Sequence, residues 1–235
     1  MTSISRAVLD GVRAALPFIL VVTPFALVFG VVGAEAGLNL LEIMGFSFLV
    51  VAGASQIVAV ELLRDNAPTL VILVTALAVN LRLIMYSAGM APLLAGATLR
   101  QRAMIAYGLT DQSFALVMAD AERRPRSVAD RIGFFFGTVI IIVGFWYGFT
   151  LIGAMLGATI PDSFALDFAV PISFIATLAP MLRSVPHIAA CAVSVAVSLA
   201  LVAMPFGTGV LVAAGAAMIT GAATEAWLSR RRVRA

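Results

Sequence analysis

Apolar residues run along the chain in long blocks separated by short polar connections, at approximately 14–34, 43–63, 68–97, 104–119, 132–157, 168–182, 187–204 and 206–227. About 20 apolar residues in a helix span a hydrocarbon core of about 30 Å. The alternation of apolar and polar positions that a membrane β-barrel requires is absent. The pattern predicts an all-α integral membrane protein, a polytopic helical bundle forming one transmembrane domain over 1–235 with no soluble domain. Two blocks complicate the count. Block 68–97 is long for one plain crossing and is interrupted by Asn80-Leu81-Arg82, whereas 104–119 is short and carries Asp111 near its middle. If both span there are eight crossings; if both turn back from the cytoplasm there are six. The pattern therefore predicts six to eight crossings with broken helices, and eight is preferred because a long broken helix fits 68–97 with less strain than a hairpin turning on an arginine. No inverted repeat and no dividing linker is visible.

Composition agrees. The chain is 62% hydrophobic and 11% charged with a mean hydropathy of +1.09, where a soluble domain carries about 25% charged residues. Its 15 basic residues are all arginine and the net charge of +3 is spread over the connections, which argues against nucleic-acid binding. Arginines cluster at Arg6 and Arg13, at Arg123, Arg124, Arg126 and Arg131, and at Arg230, Arg231, Arg232 and Arg234, while the connections with Glu35, Glu42, Asp162 and Asp167 carry none. Cytoplasmic connections retain arginine, so both termini are expected in the cytoplasm. Pro17, Pro24 and the long apolar continuation make the N-terminal segment a first span rather than a cleaved signal peptide. Cys191, the sole cysteine, excludes an intramolecular disulfide and a cysteine-based metal site.

The informative residues are polar ones where hydrocarbon should be, because an ionisable group at a helix centre costs about 2.5–3.5 kcal/mol unless it is paired or wetted. Gly53-Ala54-Ser55-Gln56 places small residues and one amide near the middle of a block; helix packing and a polar site are both open readings. Asn80 and Arg82 lie about 18 Å beyond Pro68 at 1.5 Å per residue, near the midplane, with Tyr86 one turn further on the same face. Arg82 either forms a fixed ion pair with Asp111 or Glu61, or holds a substrate carboxylate. Asp111, inside Thr110-Asp111-Gln112-Ser113, is either a proton carrier or the counter-ion of Arg82. Prolines and glycines supply helix breaks whose freed N–H and C=O groups can bind the ends of a zwitterion. Asp167, before Pro171, reads as an N-cap or a gate residue, His187 and Trp227 as interfacial, and Trp146 as packing.

These stretches together resemble the AzlC family, the large subunit of bacterial branched-chain amino acid exporters. The resemblance rests on Pro24-Phe25 with Phe29-Gly30, Ala52-Gly53-Ala54-Ser55-Gln56, Asn80-Leu81-Arg82 with Tyr86, Leu109-Thr110-Asp111 with Ser113-Phe114-Ala115, and Leu166-Asp167-Phe168-Ala169 with Pro171. Leu83 and Gln112 depart from the histidine and glutamate that the family often has there, which leaves more weight on Asp111 for proton coupling. The resemblance implies export of leucine, isoleucine or valine across the bacterial cytoplasmic membrane with a small AzlD-type membrane partner. Ser55, Gln56, Asn80, Arg82 and Tyr86 are the substrate-binding candidates. No phosphate loop, His-Glu-x-x-His or Gly-x-Ser-x-Gly is present, so a secondary transporter is expected, with no enzyme activity, cofactor or metal. The competing reading is a structural subunit or passive channel.

Overall fold

The computed structural model describes residues 3–157, 182, 184–204 and 208–234, with the side chains of 232–234 left aside; all regular structure among them is helical. Helices α1 (Ser3–Ala15) and α2 (Ile19–Glu35) are joined by a 3₁₀ turn at Leu16–Phe18 that accommodates Pro17, making one rod of 33 residues. There follow α3 (Leu40–Leu49), α4 (Gly53–Arg64), α5 (Thr69–Met90, prolonged by a 3₁₀ turn to Leu94), α6 (Leu99–Tyr107), α7 (Asp111–Arg123) and α8 (Val128–Gly157). Helices α9 (Val185–Ala200) and α10 (Gly209–Arg234) pack on each other, with Gly221 facing Ala190 and Gly209 facing Leu201. Among the described residues, Ser3–Glu35, Thr69–Leu94, Val128–Gly157 and Gly209–Arg231 are long and apolar enough to cross a membrane.

The α1–α2 rod and α8 run parallel. Ile4 faces Gly133 and Val8 faces Gly137 at one end, while Leu27 faces Gly153 and Val31 faces Gly157 at the other. Glycine makes this contact possible: a Cβ on Gly11, Gly30, Gly137 or Gly153 would run into a backbone carbonyl oxygen of the opposing helix. Small residues that let backbones approach are the usual means of helix association where no hydrophobic driving force exists. Because backbone cannot swing aside, Gly30→Leu and Gly153→Leu are expected to lose folded yield, by at least the roughly 1–3 kcal/mol typical of overpacking. Gly148→Leu on α8, with open space around it, should keep yield at the parental level in fluorescence-detected size exclusion.

The ends of the bundle differ in charge. At one, Arg124 and Arg126 bond Asp10 at 3.2 and 2.9 Å, Arg126 also grips Asp120 at 2.6 and 3.1 Å, and Ser3 donates to Asp130. The end of α5 lies here too, since Arg131 donates to the Leu93 carbonyl. Apolar segments 43–63 and 104–119 do not traverse. Ile43 packs on Gly33, Phe46 on Phe29, and Gly53 on Phe25, so α3 descends antiparallel to α2 from the far end to mid-bundle. The chain then turns at 50–52 and α4 climbs back. Gln56 donates to Ser47 across this hairpin at 3.4 Å, and Phe46 packs against the cluster of Ala59 and Leu62. From the arginine end, α6 descends to 108–110, where Gly108 meets Val139, and α7 returns to the Asp10 cluster. The two tips touch: Tyr107 donates to the Phe48 carbonyl at 2.8 Å.

These elements form two units of opposite polarity, a re-entrant hairpin followed by a crossing helix. Each opens on a glycine with positive φ, Gly37 at +82° and Gly96 at +93°, a conformation that favours glycine. Each continues with a capping box, Asn39 with Glu42 and Thr98 with Gln101. The helices then start at 40, 53 and 69 in one unit and at 99, 111 and 128 in the other. The sequence pattern showed no repeat; the structure has one. It also corrects the broken helix expected over 68–97: α5 runs intact through Asn80-Leu81-Arg82, because no proline or glycine interrupts it before Gly89.

Candidate functional site

Where the hairpin tips meet the crossing helices there is a cavity of about 190 Å³, room for roughly six waters at about 30 Å³ each. It is lined by Ala52, Gly53 and Ala54 at the start of α4, and by Thr110, Asp111 and Gln112 at the start of α7. Val51 of the hairpin turn, Arg82 and Leu83 of α5, Val21, Val22 and Phe25 of α2, and Ile142, Val143 and Trp146 of α8 complete the lining. Both half-helices thus begin at the cavity. A helix N-terminus carries about half a positive charge on its unsatisfied N–H groups, and the two ends are treated differently. At α7, the Thr110 side chain accepts from the Ser113 N–H and Asp111 occupies the first turn. At α4, Ala52 offers no side-chain cap and no acidic residue follows, so this N-terminus faces the cavity bare.

Arg82 and Asp111 form an ion pair at 2.6 Å, one partner from each unit. About a quarter of each side chain is exposed, 28% for Arg82 and 22% for Asp111, so the pair borders the cavity rather than being sealed in the core. It is also incompletely used. Arg82 Nε and Asp111 Oδ1 are buried atoms with no hydrogen-bond partner, in a pair that lines the cavity together with the polar Thr110 and Gln112. Glu61, the other sequence candidate for pairing with Arg82, instead lies 3.5 Å from Arg64.

The remaining sequence candidates stand around the cavity rather than on it. Ser55 donates to the Ala52 carbonyl and shapes the hairpin tip; Gln56 is wholly buried and holds Ser47. Asn80, two residues before Arg82 on α5, keeps a buried, unpartnered Oδ1. Tyr86 stacks on Phe114 with centroids 4.5 Å apart, within electrostatic reach of Asp111. Trp146 is more than packing: it lines the cavity, tilts on Phe25 and stacks on Phe29, and its indole N–H is unpartnered. A tryptophan in mid-helix was the one sign of it in the sequence; Val22 and Val143 gave none. Asp162, Asp167 and Pro171 lie outside the described residues. His187 and Trp227 are exposed and line no described cavity; the Arg231 guanidinium lies over the Trp227 ring at 3.9 Å. No group of residues suited to a metal ion occurs among the described residues.

Apolar spans and two opposed half-helix pairs around a charged midplane cavity define a polytopic helical membrane protein with an internal polar site. The family model described as AzlC protein matches residues 17–160, and the chain belongs to the AzlC family. It is 28% identical over 189 residues to an inner membrane protein, YgaZ, of Escherichia coli K12, covering 74% of this chain and 73% of the relative. An uncharacterized membrane protein of Archaeoglobus fulgidus is 31% identical over 206 residues, covering 85% of this chain and 88% of that one. An uncharacterized membrane protein of Helicobacter pylori J99 is 27% identical over 148 residues, 63% of either chain. No solved structure matches.

Proposed function

We propose that the protein is a secondary transporter that exports branched-chain amino acids across the bacterial cytoplasmic membrane, coupled to protons through Asp111 and working with a small AzlD-type membrane subunit. The observation that carries this reading is the half-used ion pair. Both unpartnered atoms are buried in this arrangement, so substrate engages them when the pair opens: a zwitterion then presents a carboxylate to Arg82 and an ammonium to Asp111, and the bare α4 N-terminus offers its carboxylate a second seat. The apolar walls of Val22, Phe25, Val143 and Trp146 suit a hydrocarbon side chain, and two inverted units flanking discontinuous helices are a common transporter plan. Protonation of Asp111 breaks its pair with Arg82. Proton and substrate therefore act on one arrangement, which is the minimal link between a proton gradient and flux.

We assign the arginine-rich end, and with it the N-terminus, to the cytoplasm, which through residue 157 gives three crossings and two re-entrant hairpins; the arginines at 230–234 argue for a cytoplasmic C-terminus by the same rule. In a Cys191→Ser background, Arg100→Cys and Arg124→Cys are expected to react from the cytoplasmic side and Asn66→Cys from outside. A residue-100 cysteine that reacts only from outside would mean that 104–119 crosses after all.

The functional reading is tested by counterflow of radiolabelled leucine, valine, methionine and alanine in proteoliposomes, with and without the small subunit. A transporter gives a transient overshoot of the branched-chain substrates. Equilibration without overshoot indicates a passive channel, and no flux in either preparation indicates a structural subunit.

A further inference from the structure

We infer that Gly53 is the residue that sets substrate size, by holding the Trp146 and Phe25 rings against the apolar end of the cavity. The inference rests on the amino acid transport proposed above and adds to it the residue that decides which side chains fit. Gly53 opens α4 and lines the cavity together with both rings. A Cβ built at position 53 would run into Trp146 Cη2 and would lie 2.9 Å from both Trp146 Cζ3 and Phe25 Cε1. The Trp146 ring has little room to retreat, while Phe25 is only partly buried. Trp146 is 7% exposed and is stacked on Phe29, which is itself fully buried, with centroids 5.9 Å apart. Trp146 and Phe25 both line the cavity, so displacing their ring atoms to admit a methyl takes space from it, and the methyl itself projects beside them. Both effects remove space at the apolar end and leave Arg82 and Asp111, on α5 and α7, in place.

The converse change is available across the cavity. Val143 is 8% exposed and lines the same chamber from α8, so shortening it adds space without touching the charged pair.

The test is counterflow by the full chain with its small subunit, read as the ratio of leucine to alanine flux. One methylene in an apolar pocket discriminates by about tenfold or more. Gly53→Ala is expected to lower the leucine-to-alanine ratio by about that factor, with the loss in leucine and not in alanine. Val143→Ala is expected to shift preference the other way, admitting methionine and phenylalanine relative to valine. Should Gly53→Ala fail to fold, Val143→Ala decides. Equal scaling of all substrates in Gly53→Ala, or an unchanged size profile in Val143→Ala, overturns the assignment while amino acid transport stands. A wild-type protein that moves none of these amino acids overturns both.

Discussion

Asp111→Asn is expected to abolish pH-driven net export while sparing part of the exchange of leucine for leucine. The amide keeps the shape of the protonated side chain but can neither take up nor release a proton, so cycling with substrate bound on both strokes survives and net coupling does not. A purely structural role predicts something else. With Arg82 2.6 Å away, removal of one charge strands the other, at a cost of about 3–5 kcal/mol for a sealed pair. The cost here is smaller because about a quarter of each side chain reaches the cavity, 28% and 22%. If the pair serves only the fold, Asp111→Asn and Arg82→Gln should each lose folded yield and the double variant should recover it. Measured pH-driven export by Asp111→Asn at the parental rate would remove the carrier role.

Arg82→Lys is expected to lose apparent affinity by at least tenfold, about 1.4 kcal/mol in binding, while the protein still folds. Lysine preserves the positive charge but gives up the planar fork, and with it the buried Nε–H that has no partner while the Asp111 pair is closed. A single ammonium cannot hold both Asp111 and a substrate carboxylate in the arginine geometry. Unchanged half-saturation for leucine in the lysine variant would exclude the guanidinium as a ligand.

Depth along the chain placed Arg82 near the midplane and named Asp111 as its possible partner, because charged residues inside apolar blocks have few affordable positions. The turn within 104–119 was legible as one alternative, from its shortness and Asp111, but the hairpin at 43–63 was not. Segment 43–63 has the length and hydropathy of a crossing, and its break falls at Val50-Val51-Ala52, residues with no helix-breaking signature. The repeat left local marks, Gly37 and Gly96 followed by Asn39 with Glu42 and Thr98 with Gln101. Such marks report only where a helix starts; opposite polarity is a tertiary fact. The one-turn spacing puts Tyr86 on the face of Arg82, and it does lie within electrostatic reach of Arg82 and Asp111 while its ring also stacks on Phe114. The apolar walls were invisible, since Phe25 and Val143 differ from dozens of other apolar positions only in what they face.

The most direct measurement of the site uses Trp146 itself. The chain has 2 tryptophans, so in a Trp227→Phe background the fluorescence of the purified protein reports on the cavity alone. Leucine is expected to shift that emission saturably, and the shift should vanish in the folded Arg82→Gln, Asp111→Asn double variant. A saturable shift of equal amplitude and midpoint in the double variant would contradict the assignment of this cavity and its charged pair as the substrate site.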